Sequence, residues 1–516
     1  MSNASILGTS STSIVAIKDT AIIGGLLAVL AVAFAASSTW NTKGASKGIP
    51  TLRGPPIFGH WRFFSDRYAF INDGLKKLGS AFQFTVLNHT VLVVSGEQAR
   101  TDFLNSSTLS FREGYKVLFG VTPSVRHVKA NFDSFESSEA SWFAKRVVSI
   151  LRRDRLQRMI PRIFDDIRAG MKPWGISGQF DPLEDIYDVV FQLTVRASSS
   201  TELANDPVAV KKLKHCLHDC EKASSPASLL VSWLPSKDRK QRQKSSKEMY
   251  QMFKKVLDER KTMGHREDDP TQVLIDEGNT DNDIVEFSMI ALFAGVANTG
   301  IMAAWVLMYL ATDPVWKAKV GDEVQNFITK YAPGFETADS DDQIDNLAAQ
   351  LSKIPSIVWE EEMELTDLCL RETIRMAQSS VFLRRNVSPE EVKVGGASLA
   401  SGEFVAYPSA DVHHNPTVYE DPSRFDPMRH VPKEKEKAPP FVGWGAGRHP
   451  CLGMRFAKLE VKWIVAMFLA AYDYEVVNEA GKVVQTLPEP NHNNIFDRTK
   501  RPEGETLYIK YHRKTT

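Results

Sequence analysis

The feature that most constrains this fold is the stretch from Asn282 to Ala311, which predicts a single long helix. Nearly all of its faces are apolar, and Asp313-Pro314 ends it. A helix of about 45 Å without a polar face must be covered on all sides, either by protein or by lipid. Asn298 and Thr299 in its middle favour protein. The sequence therefore predicts a helix that threads the core of a large, mainly helical body.

The composition is that of a folded protein without a preference for nucleic acid. The 516 residues include 63 Lys and Arg against 63 Asp and Glu, and 43% are hydrophobic. A nucleic-acid-binding domain usually carries a basic excess, so we expect no nucleic-acid partner. No internal repeat or compositional break divides residues 61–516, which we predict to form one domain with small sheets. The clearest strands are a predicted hairpin of Ala81–Leu87 and Thr90–Ser95.

The N-terminal region, residues 1–42, predicts a membrane anchor. The uncharged run from Ala21 to Ala36 fits a helix over about residues 20–40, long enough for about 30 Å of hydrocarbon. Ala33-Phe34-Ala35 resembles a cleavage site, so a cleaved secretory signal is the alternative. Basic residues follow the run, which places the rest of the chain in the cytosol. The Pro- and Gly-rich residues 43–60 predict a stiff hinge before the domain.

A glycine-rich loop carries one of the four cysteines of the chain. It reads Phe-Val-Gly-Trp-Gly-Ala-Gly-Arg-His-Pro-Cys-Leu-Gly. A helix is predicted to begin at the next residue, Met454, and to run to about Leu469. The helix N-terminus and the basic side chains of Arg448 and His449 are expected to favour the thiolate form of Cys451. The glycines allow the backbone to approach a flat ligand closely. From the residues alone, the alternative is a buried free cysteine beside a turn.

This loop resembles the haem-binding loop of the cytochrome P-450 superfamily, whose pattern is Phe-Gly-x-Gly-x-Arg-x-Cys-x-Gly. The resemblance implies that Cys451 is the axial thiolate ligand of the iron in haem b, and that Gly445 and His449 contact the cofactor. Trp444 stands for the usual Phe and His449 for the usual Arg. Sterol 14-demethylases of this superfamily carry a similar Gly-Ala-Gly-Arg-His string. The implied fold is mainly α with small β-sheets.

A Glu-x-x-Arg motif supports this resemblance. Glu372 and Arg375 share one face of an amphipathic helix, an arrangement that is commonly solvated surface when it occurs alone. Downstream, the Asp-Pro-Ser-Arg-Phe-Asp-Pro segment that contains Arg424 resembles the second arginine motif of the superfamily. The resemblance implies a buried triad of Glu372, Arg375 and Arg424 that holds the cysteine loop in place.

Further segments resemble positions that contact the haem propionates. Trp142 and Arg146 repeat the Trp-x-x-x-Arg motif, which puts both side chains on one face of a helix. Arg384 or Arg385 is implied to be another ligand, and the register between the two stays open. Tyr115 resembles a propionate-binding tyrosine of sterol 14-demethylases.

The middle of the long helix resembles the oxygen-side groove of the superfamily, normally Gly-x-(Asp/Glu)-Thr. The resemblance implies a catalytic hydrogen bond from Thr299, while Asn298 replaces the usual acid, so proton delivery is expected to run through water. The same Ala-Asn-Thr occurs in the branch of sterol 7α-hydroxylases. Gly295 and Ala294 are expected to leave space above the haem. The residues expected to line the substrate pocket are Phe293, Ala294, Val381 and Phe382.

Together these resemblances imply a haem-thiolate monooxygenase. It would use O2 and electrons from NADPH, delivered by NADPH-cytochrome P-450 reductase with cytochrome b5 as a further donor, to hydroxylate or epoxidise a hydrophobic small molecule. The expected substrate is a sterol, a triterpenoid or another terpenoid of secondary metabolism. The implied enzyme is microsomal and of fungal type. It would be single-pass in the endoplasmic reticulum membrane, with its catalytic domain facing the cytosol.

Basic side chains indicate where an electron donor would bind. The run from Arg152 to Arg158 follows the Trp-x-x-x-Arg helix, and Arg455 and Lys458 come just after Cys451, so both groups are expected to steer an acidic partner. Two other readings stay open: a haem-thiolate isomerase or dehydratase that works without a reductase, and a non-catalytic haem-binding protein. Dependence of turnover on NADPH distinguishes the first of these from a monooxygenase.

Overall fold

The computed structural model describes residues 48–54, 59–86, 89–118, 138–222, 236–333, 343–432, 440–493, 501–502 and 504–514. The predicted membrane anchor lies outside these ranges. The helices are α1 (Arg62–Ser65), α2 (Arg67–Leu78), α3 (Glu97–Asn105), α4 (Phe111–Leu118), α5 (Ser138–Ile150), α6 (Arg153–Met171), α7 (Pro182–Ser198), α8 (Thr201–Ala204), α9 (Pro207–Lys222), α10 (Lys237–Met263), α11 (Pro270–Asp276), α12 (Asp281–Thr312), α13 (Pro314–Tyr331), α14 (Gln343–Leu351), α15 (Ser356–Glu361), α16 (Glu364–Ala377), α17 (Ala410–His413) and α18 (Met454–Ala471). The strands are β1 (Thr51–Leu52), β2 (Ala81–Val86), β3 (His89–Val94), β4 (Leu109–Ser110), β5 (Ser177–Phe180), β6 (Val381–Asn386), β7 (Val392–Val394), β8 (Ala397–Leu399), β9 (Phe404–Pro408), β10 (Tyr472–Asn478) and β11 (Leu507–Arg513).

The predicted central helix is confirmed as α12. Thr280 and Asp283 form a capping box at its start: the Thr280 hydroxyl accepts from the Asp283 N–H, and the Asp283 carboxylate accepts from the Thr280 N–H. Asp313 follows its last turn and caps α13. In the described part of the chain, α12 is the one helix long and apolar enough to cross a membrane, and more than half of its apolar length is buried within the protein. It is therefore the core helix of the domain.

Two glycines let α12 pack closely against α7. A Cβ at Gly295 would lie 2.6 Å from Thr194 Cγ2, and a Cβ at Gly300 would lie 2.7 Å from Tyr187 Cδ2. Carbon atoms do not approach so closely in a packed interior, so both positions require glycine. Thr194 of α7 thus lies on the Cβ side of Gly295, and the expectation that Gly295 leaves space above a haem stays a prediction.

The largest sheet has six strands in the order β1-β2-β3-β9-β6-β4. The predicted hairpin is confirmed by the antiparallel pairing of β2 with β3. β1 comes from the segment predicted as a hinge, and its Thr51 pairs in parallel with Gln83. Gly59 forms a further bridge with Val86. This part of the predicted hinge thus belongs to the sheet, and the folded body begins before Trp61.

The main hydrophobic core lies between α12, α16 and α18. Trp305 of α12 and Trp463 of α18 are both fully buried in it. The helix predicted after the cysteine loop is confirmed, because α18 begins at Met454 and its length is buried except near its start. The packing of α16 and α18 against α12 fixes the two ends of the cysteine loop relative to the core.

Candidate active site around Cys451

Cys451 lies just before α18, as predicted. Its backbone N–H donates to the Trp444 carbonyl at 2.7 Å, which closes the loop on itself. Burial raises the pKa of the Cys451 thiol above its ordinary value, while the backbone N–H groups of Gly453 and Met454, bonded to the sulfur, act to lower the pKa. The N–H groups at the start of α18 thus favour the thiolate, as expected, while burial opposes it. A bound metal ion ionises a coordinating thiol directly.

Gly445 and Gly447 determine the shape of the loop. Both have left-handed backbone angles, with φ of 69° and 62°. A Cβ at Gly445 would lie 2.5 Å from the His449 carbonyl oxygen, and a Cβ at Gly447 would lie 2.4 Å from the Leu104 carbonyl oxygen. The latter oxygen also accepts a hydrogen bond from the Arg448 N–H at 3.1 Å. The loop is thus pressed against its own C-terminal half and against the end of α3.

A buried ion pair supports the loop. Glu372 and Arg375 of α16 are fully buried and form two parallel hydrogen bonds of 2.8 Å. Arg375 Nη1 also donates to the His413 carbonyl at 2.7 Å, and His413 Nε2 accepts from the Val442 N–H at 3.1 Å. Desolvation acts to raise the pKa of Glu372, but hydrogen bonds from Arg375 and His430 bring it down to about 2. The carboxylate is therefore charged and links α16 to the start of the loop.

The second arginine of this cluster is Arg429, and the prediction of Arg424 is wrong. Arg429 Nε lies 3.0 Å from Glu372 Oε1, and only 9% of the Arg429 side chain is exposed. The Arg424 side chain is 64% exposed and pairs with Asp426 at 2.8 Å. Its carbonyl oxygen, by contrast, accepts from Arg429 at 3.1 Å.

The sequence contains two copies of Asp-Pro-x-Arg, at residues 421–424 and 426–429, and the residue types do not distinguish them. A 3-10 turn at Pro427–His430 makes the difference, because it directs the second copy inward. His430 Nε2 lies 2.9 Å from Glu372 Oε2 as a result. Sequence reasoning missed both Arg429 and His430, since neither has a local signal that the first copy lacks.

Arg384, Tyr115 and His449 are brought together around Phe111. The Phe111 ring stacks on the His449 ring at 5.9 Å and lies 4.5 Å from the Tyr115 ring. The Arg384 guanidinium carbon lies 4.9 Å from the centre of the Phe111 ring. Gly114 permits this contact, because a Cβ there would lie 2.7 Å from Arg384 Cα. Phe111 was missed as the centre of this group, although its spacing from Tyr115 places both on one face of α4.

The structure distinguishes Arg384 from Arg385. Arg384 is 2% exposed, and burial lowers its pKa to about 10. Arg385 lies on the other side of β6, where it donates to the Gly402 carbonyl at 3.0 Å and lies 3.7 Å from Glu113. Successive strand residues point to opposite faces, so only one of the two can face His449. That residue is Arg384. The pKa of His449 is lowered mainly by burial and further by the positive charge of Arg384.

Trp142 and Arg146 share one face of α5, as predicted, but the structure does not bring them to the cysteine loop. Both donate to Asn279 Oδ1, Trp142 at 3.2 Å and Arg146 Nη2 at 2.9 Å. Asn279 lies just before α12, and the distance from the start of α12 to Thr299 is about 27 Å along the helix. The pair therefore binds the far end of α12 from Thr299.

The middle of α12 has one open face. Ala294 and Asn298, four residues apart, are exposed, whereas Thr299 is buried. Asn298 Oδ1 lies 3.5 Å from the side-chain nitrogen of Gln378, the residue that directly follows α16. Gln378 was not singled out from the sequence. The open face of α12 therefore lies next to the helix that supports the cysteine loop.

The other predicted pocket residues lie in packed regions. Val381 is buried in the cluster beneath the six-stranded sheet, and Phe382 packs on the opposite face with Phe103 and Tyr407. Adjacent strand residues point in opposite directions, so Val381 and Phe382 do not line one pocket together. Phe293 is half-buried and packs against the core cluster of α10 and α12.

Comparison with known proteins identifies the family. The family model for Cytochrome P450 matches residues 50–492, most of the chain. The chain belongs to the cytochrome P450 family. This confirms the resemblance found in the cysteine loop, the mainly helical fold with small sheets, and the prediction of a monooxygenase.

Relatives of this P450 include fungal and plant proteins. Cytochrome P450 monooxygenase AacuE of Aspergillus aculeatus is 30% identical over 438 residues, covering 83% of this chain and 86% of that protein. Cytochrome P450 monooxygenase nsrP of Aspergillus novofumigatus is 29% identical, covering 78% of each. Sterol 14-demethylase of Arabidopsis thaliana is 24% identical and covers 88% of this chain and 91% of that protein. The predicted likeness to sterol 14-demethylases thus extends beyond the cysteine loop.

The P450 family holds haem through a cysteine thiolate, and the residues of this chain fit that group. Cys451 supplies the sulfur from a loop whose shape depends on two glycines with left-handed backbone angles. Arg384 supplies a buried cation, and its Nε has no hydrogen-bond partner among the described residues. A buried guanidinium with an unused donor is costly unless an anion pairs with it, and haem carries carboxylates.

The basic run beside this P450 site is largely neutralised by its neighbours. Arg153 and Arg455 both approach Glu360, at 2.9 and 3.6 Å, so the run meets the start of α18 there. Arg158 pairs with Asp268 at 2.7 Å, and Lys458 pairs with Asp367 at 2.8 Å. The basic run and the start of α18 therefore lie on one surface, which is what the expected docking site for an electron donor requires. The net positive charge of this surface is smaller than the sequence indicates, because acidic neighbours pair with its basic side chains.

Proposed function

We propose that this P450 monooxygenase binds haem b through Cys451 and takes electrons from NADPH through NADPH-cytochrome P450 reductase, with cytochrome b5 as a further donor. The proposed reaction is hydroxylation or epoxidation of a hydrophobic small molecule with O2. The observation that carries the proposal is the cysteine loop itself. Its sulfur lies before a helix, the Glu372–Arg375 pair holds its start, and a buried cation, Arg384, lies beside His449.

Bound haem would supply the redox chemistry that activates O2. The chain contributes a rigid sulfur ligand, because the Arg375–His413–Val442 contacts hold the loop that carries Cys451. The N–H groups of Gly453 and Met454 contact the same sulfur. Hydrogen bonds to a ligating sulfur adjust the potential of the metal that it binds, so these two groups are proposed to tune the site.

The haem carboxylates are proposed to bind Arg384, His449 and Tyr115. Support comes from the grouping of these side chains around Phe111 and from the unused donor of Arg384. Burial and then the charge of Arg384 lower the pKa of His449, and its imidazole carries at least one N–H that can donate to a carboxylate. Trp142 and Arg146, also expected to bind these carboxylates, now donate to Asn279 Oδ1. They would have to give up those hydrogen bonds to donate to the cofactor.

On the oxygen side, Thr299 is proposed to hold the proton that O2 reduction consumes. Its hydroxyl can accept and donate in one position, which a proton relay requires. Asn298 does not titrate, so it can hold water or substrate but cannot itself deliver the proton. Water and Thr299 are therefore proposed to share that task.

The substrate is proposed to be a sterol, a triterpenoid or another terpenoid of secondary metabolism. The apolar open face of α12 suits a hydrophobic ligand. The relatives add support, since one is named a sterol 14-demethylase and others are fungal monooxygenases. For the location we propose the endoplasmic reticulum membrane, with residues 1–42 as a single-pass anchor and the catalytic domain in the cytosol.

The reduced, carbon-monoxide-bound spectrum of the purified protein tests the cofactor assignment. A thiolate-ligated haem gives a strongly red-shifted Soret band, which we expect in the wild type and not in Cys451→Ser. Cys369→Ser, in a buried cysteine of α16, is the control and should keep the band. A red-shifted band that survives Cys451→Ser contradicts the proposal.

Turnover measured with and without NADPH and the reductase tests the reaction class. Oxygenated product from a sterol and terpenoid panel should require both NADPH and the reductase, and should carry one oxygen atom from labelled O2. Isomerised product that forms without NADPH would show a haem-thiolate isomerase instead.

A further inference from the structure

Between residues 290 and 298, the open face of α12 carries a single polar side chain. Throughout α12, which the structure describes in full, the side chains that remain half-buried or exposed between residues 290 and 298 are those of Ile290, Ala291, Phe293, Ala294, Ala297 and Asn298. All of them except Asn298 are apolar. A ligand that lies on this segment therefore meets apolar groups and one carboxamide at its end; Glu286, one turn before Ile290, is the next polar side chain on the same face.

Gln378 supplies a second carboxamide at the same place. Its side-chain nitrogen lies 3.5 Å from Asn298 Oδ1. Its backbone is held, because its N–H donates to the Ile374 carbonyl at 3.0 Å and its carbonyl accepts from the Ser409 hydroxyl at 3.5 Å. Gln378 follows Arg375 by one helical turn, so the rigid support of the cysteine loop also positions this side chain.

The two carboxamides have hydrogen-bonding capacity that their mutual contact does not use. A distance of 3.5 Å is the long limit of a hydrogen bond, so the contact is weak and can open. Each carboxamide offers N–H donors and carbonyl lone pairs. Neither carries a charge, so a carboxylate or an ammonium group buried here would lack a counter-ion.

We propose that Asn298 and Gln378 together bind a neutral hydroxyl or carbonyl group of the substrate, and so select oxygenated substrates over the corresponding hydrocarbons. This rests on the proposed function, which places the substrate beside α12. A hydrocarbon that displaces water from the pair leaves its donors and acceptors unsatisfied. We expect a preference of about tenfold, because that is the effect of one such unmet hydrogen bond. Asn298 thereby serves substrate selection at the position where the family has an acid.

Phenylimidazole and its ortho, meta and para hydroxyphenyl analogues provide a test that needs no knowledge of the natural substrate. The imidazole nitrogen would coordinate the iron of the holoenzyme, and under the proposed function the phenyl ring would lie against the open face of α12. Dissociation constants are measured from the absorbance shift of the holoenzyme. The measured quantity is the affinity of each analogue divided by the affinity of the parent, which cancels general differences in pocket size.

We expect at least one analogue to bind the wild type more tightly than the parent, and this advantage to fall about tenfold in both Asn298→Leu and Gln378→Leu. Gln325→Leu, which removes an exposed carboxamide of α13, is the matched control and should leave the advantage in place. The carbon monoxide spectrum of each variant verifies its folding and its cofactor.

Two results would overturn the inference: no analogue exceeds the parent in the wild type, or the advantage survives in both leucine variants. A third result would also overturn the inference: both leucine variants keep the ligand preference of the wild type but consume more NADPH per product formed. That result would assign Asn298 and Gln378 to proton delivery. Failure of the proposed function looks different, because the red-shifted carbon monoxide band would then be missing from the wild type.

Discussion

The Glu372 carboxylate is fully buried and pairs with Arg375, Arg429 and His430. Burial lowers the pKa of His430, so the histidine is neutral near pH 7 and two guanidinium groups face one carboxylate. The remaining positive charge is offset by carbonyl oxygens, since Arg375 also donates to His413 O and Arg429 to Arg424 O. The cluster is therefore a network in which each member depends on the others.

Replacing Arg429 should destabilise the protein far more than replacing Arg424. Arg429→Leu leaves part of a buried carboxylate unpaired, and we expect a loss of about 3 kcal/mol in the free energy of unfolding. Arg424→Leu removes an exposed pair and should cost less than about 0.5 kcal/mol. Urea unfolding of the two variants checks this. Equal losses would show that Arg424 has the role that its motif first indicated.

The pH dependence of stability should report the same cluster. The pKa of Glu372 is about 2 in the folded protein against an ordinary value of 4.5. Because the folded value is the lower one, the stabilisation is fully present above the ordinary value and disappears as the pH falls towards the folded value. Stability should therefore decline below about pH 5, and more steeply in the wild type than in Glu372→Gln. Parallel declines in the two proteins would contradict this.

At the scale of elements, the contact between α12 and α7 depends on the absence of side chains. Gly295 faces Thr194 and Gly300 faces Tyr187, so the two helices meet through backbone at these points. Glycine in a helix costs stability, and here the close packing of two buried helices offsets that cost. The open face of α12 is consequently on another side, where Ala294 and Asn298 lie.

Alanine substitution of two helical glycines should have opposite effects. In Gly300→Ala, the new Cβ would lie 2.7 Å from Tyr187 Cδ2. The resulting displacement should cost about 1–3 kcal/mol. Gly321 lies in α13 with nothing within 4 Å of its Cβ position. Gly321→Ala should therefore stabilise the protein by about 0.5–1 kcal/mol through helix propensity. Thermal unfolding of both variants checks the signs, and a stabilised Gly300→Ala would refute the packing argument.

The sequence predicted those elements whose hydrophobic pattern and end signals lie within the element itself. The predicted helix from Asn282 to Ala311 and the observed α12 differ by one residue at each end, because apolar residues and a proline define it. Cys451 was likewise predictable from its loop. Arg429 was not, because only the distant Glu372 distinguishes it from Arg424. The same holds for Arg384 and Gln378, whose partners come from other parts of the chain.

At the scale of the whole molecule, the folded body begins earlier than composition indicates. A Pro- and Gly-rich segment has the composition of a linker, but Thr51 and Leu52 form the edge strand β1. The buried side chain of Gln83 donates to the Ile49 carbonyl at 3.2 Å and to the Thr51 hydroxyl at 3.1 Å. The polypeptide that connects the predicted anchor to the domain is therefore tied to the sheet from its first described residues.

Two N-terminal deletions separate the predicted domain boundary from the observed one. Deletion of residues 1–47 leaves every strand pair of the described residues in place, so we expect the protein to keep its unfolding temperature. Deletion of residues 1–60 removes β1, the Gly59 bridge and two acceptors of a buried amide. An unmet buried hydrogen bond costs about 1–3 kcal/mol, so the longer deletion should unfold several degrees lower. Equal unfolding temperatures would mean that residues 48–60 are a linker after all. A lower temperature in the longer deletion alone would show that residues 48–60 are an integral part of the six-stranded sheet that carries Arg384.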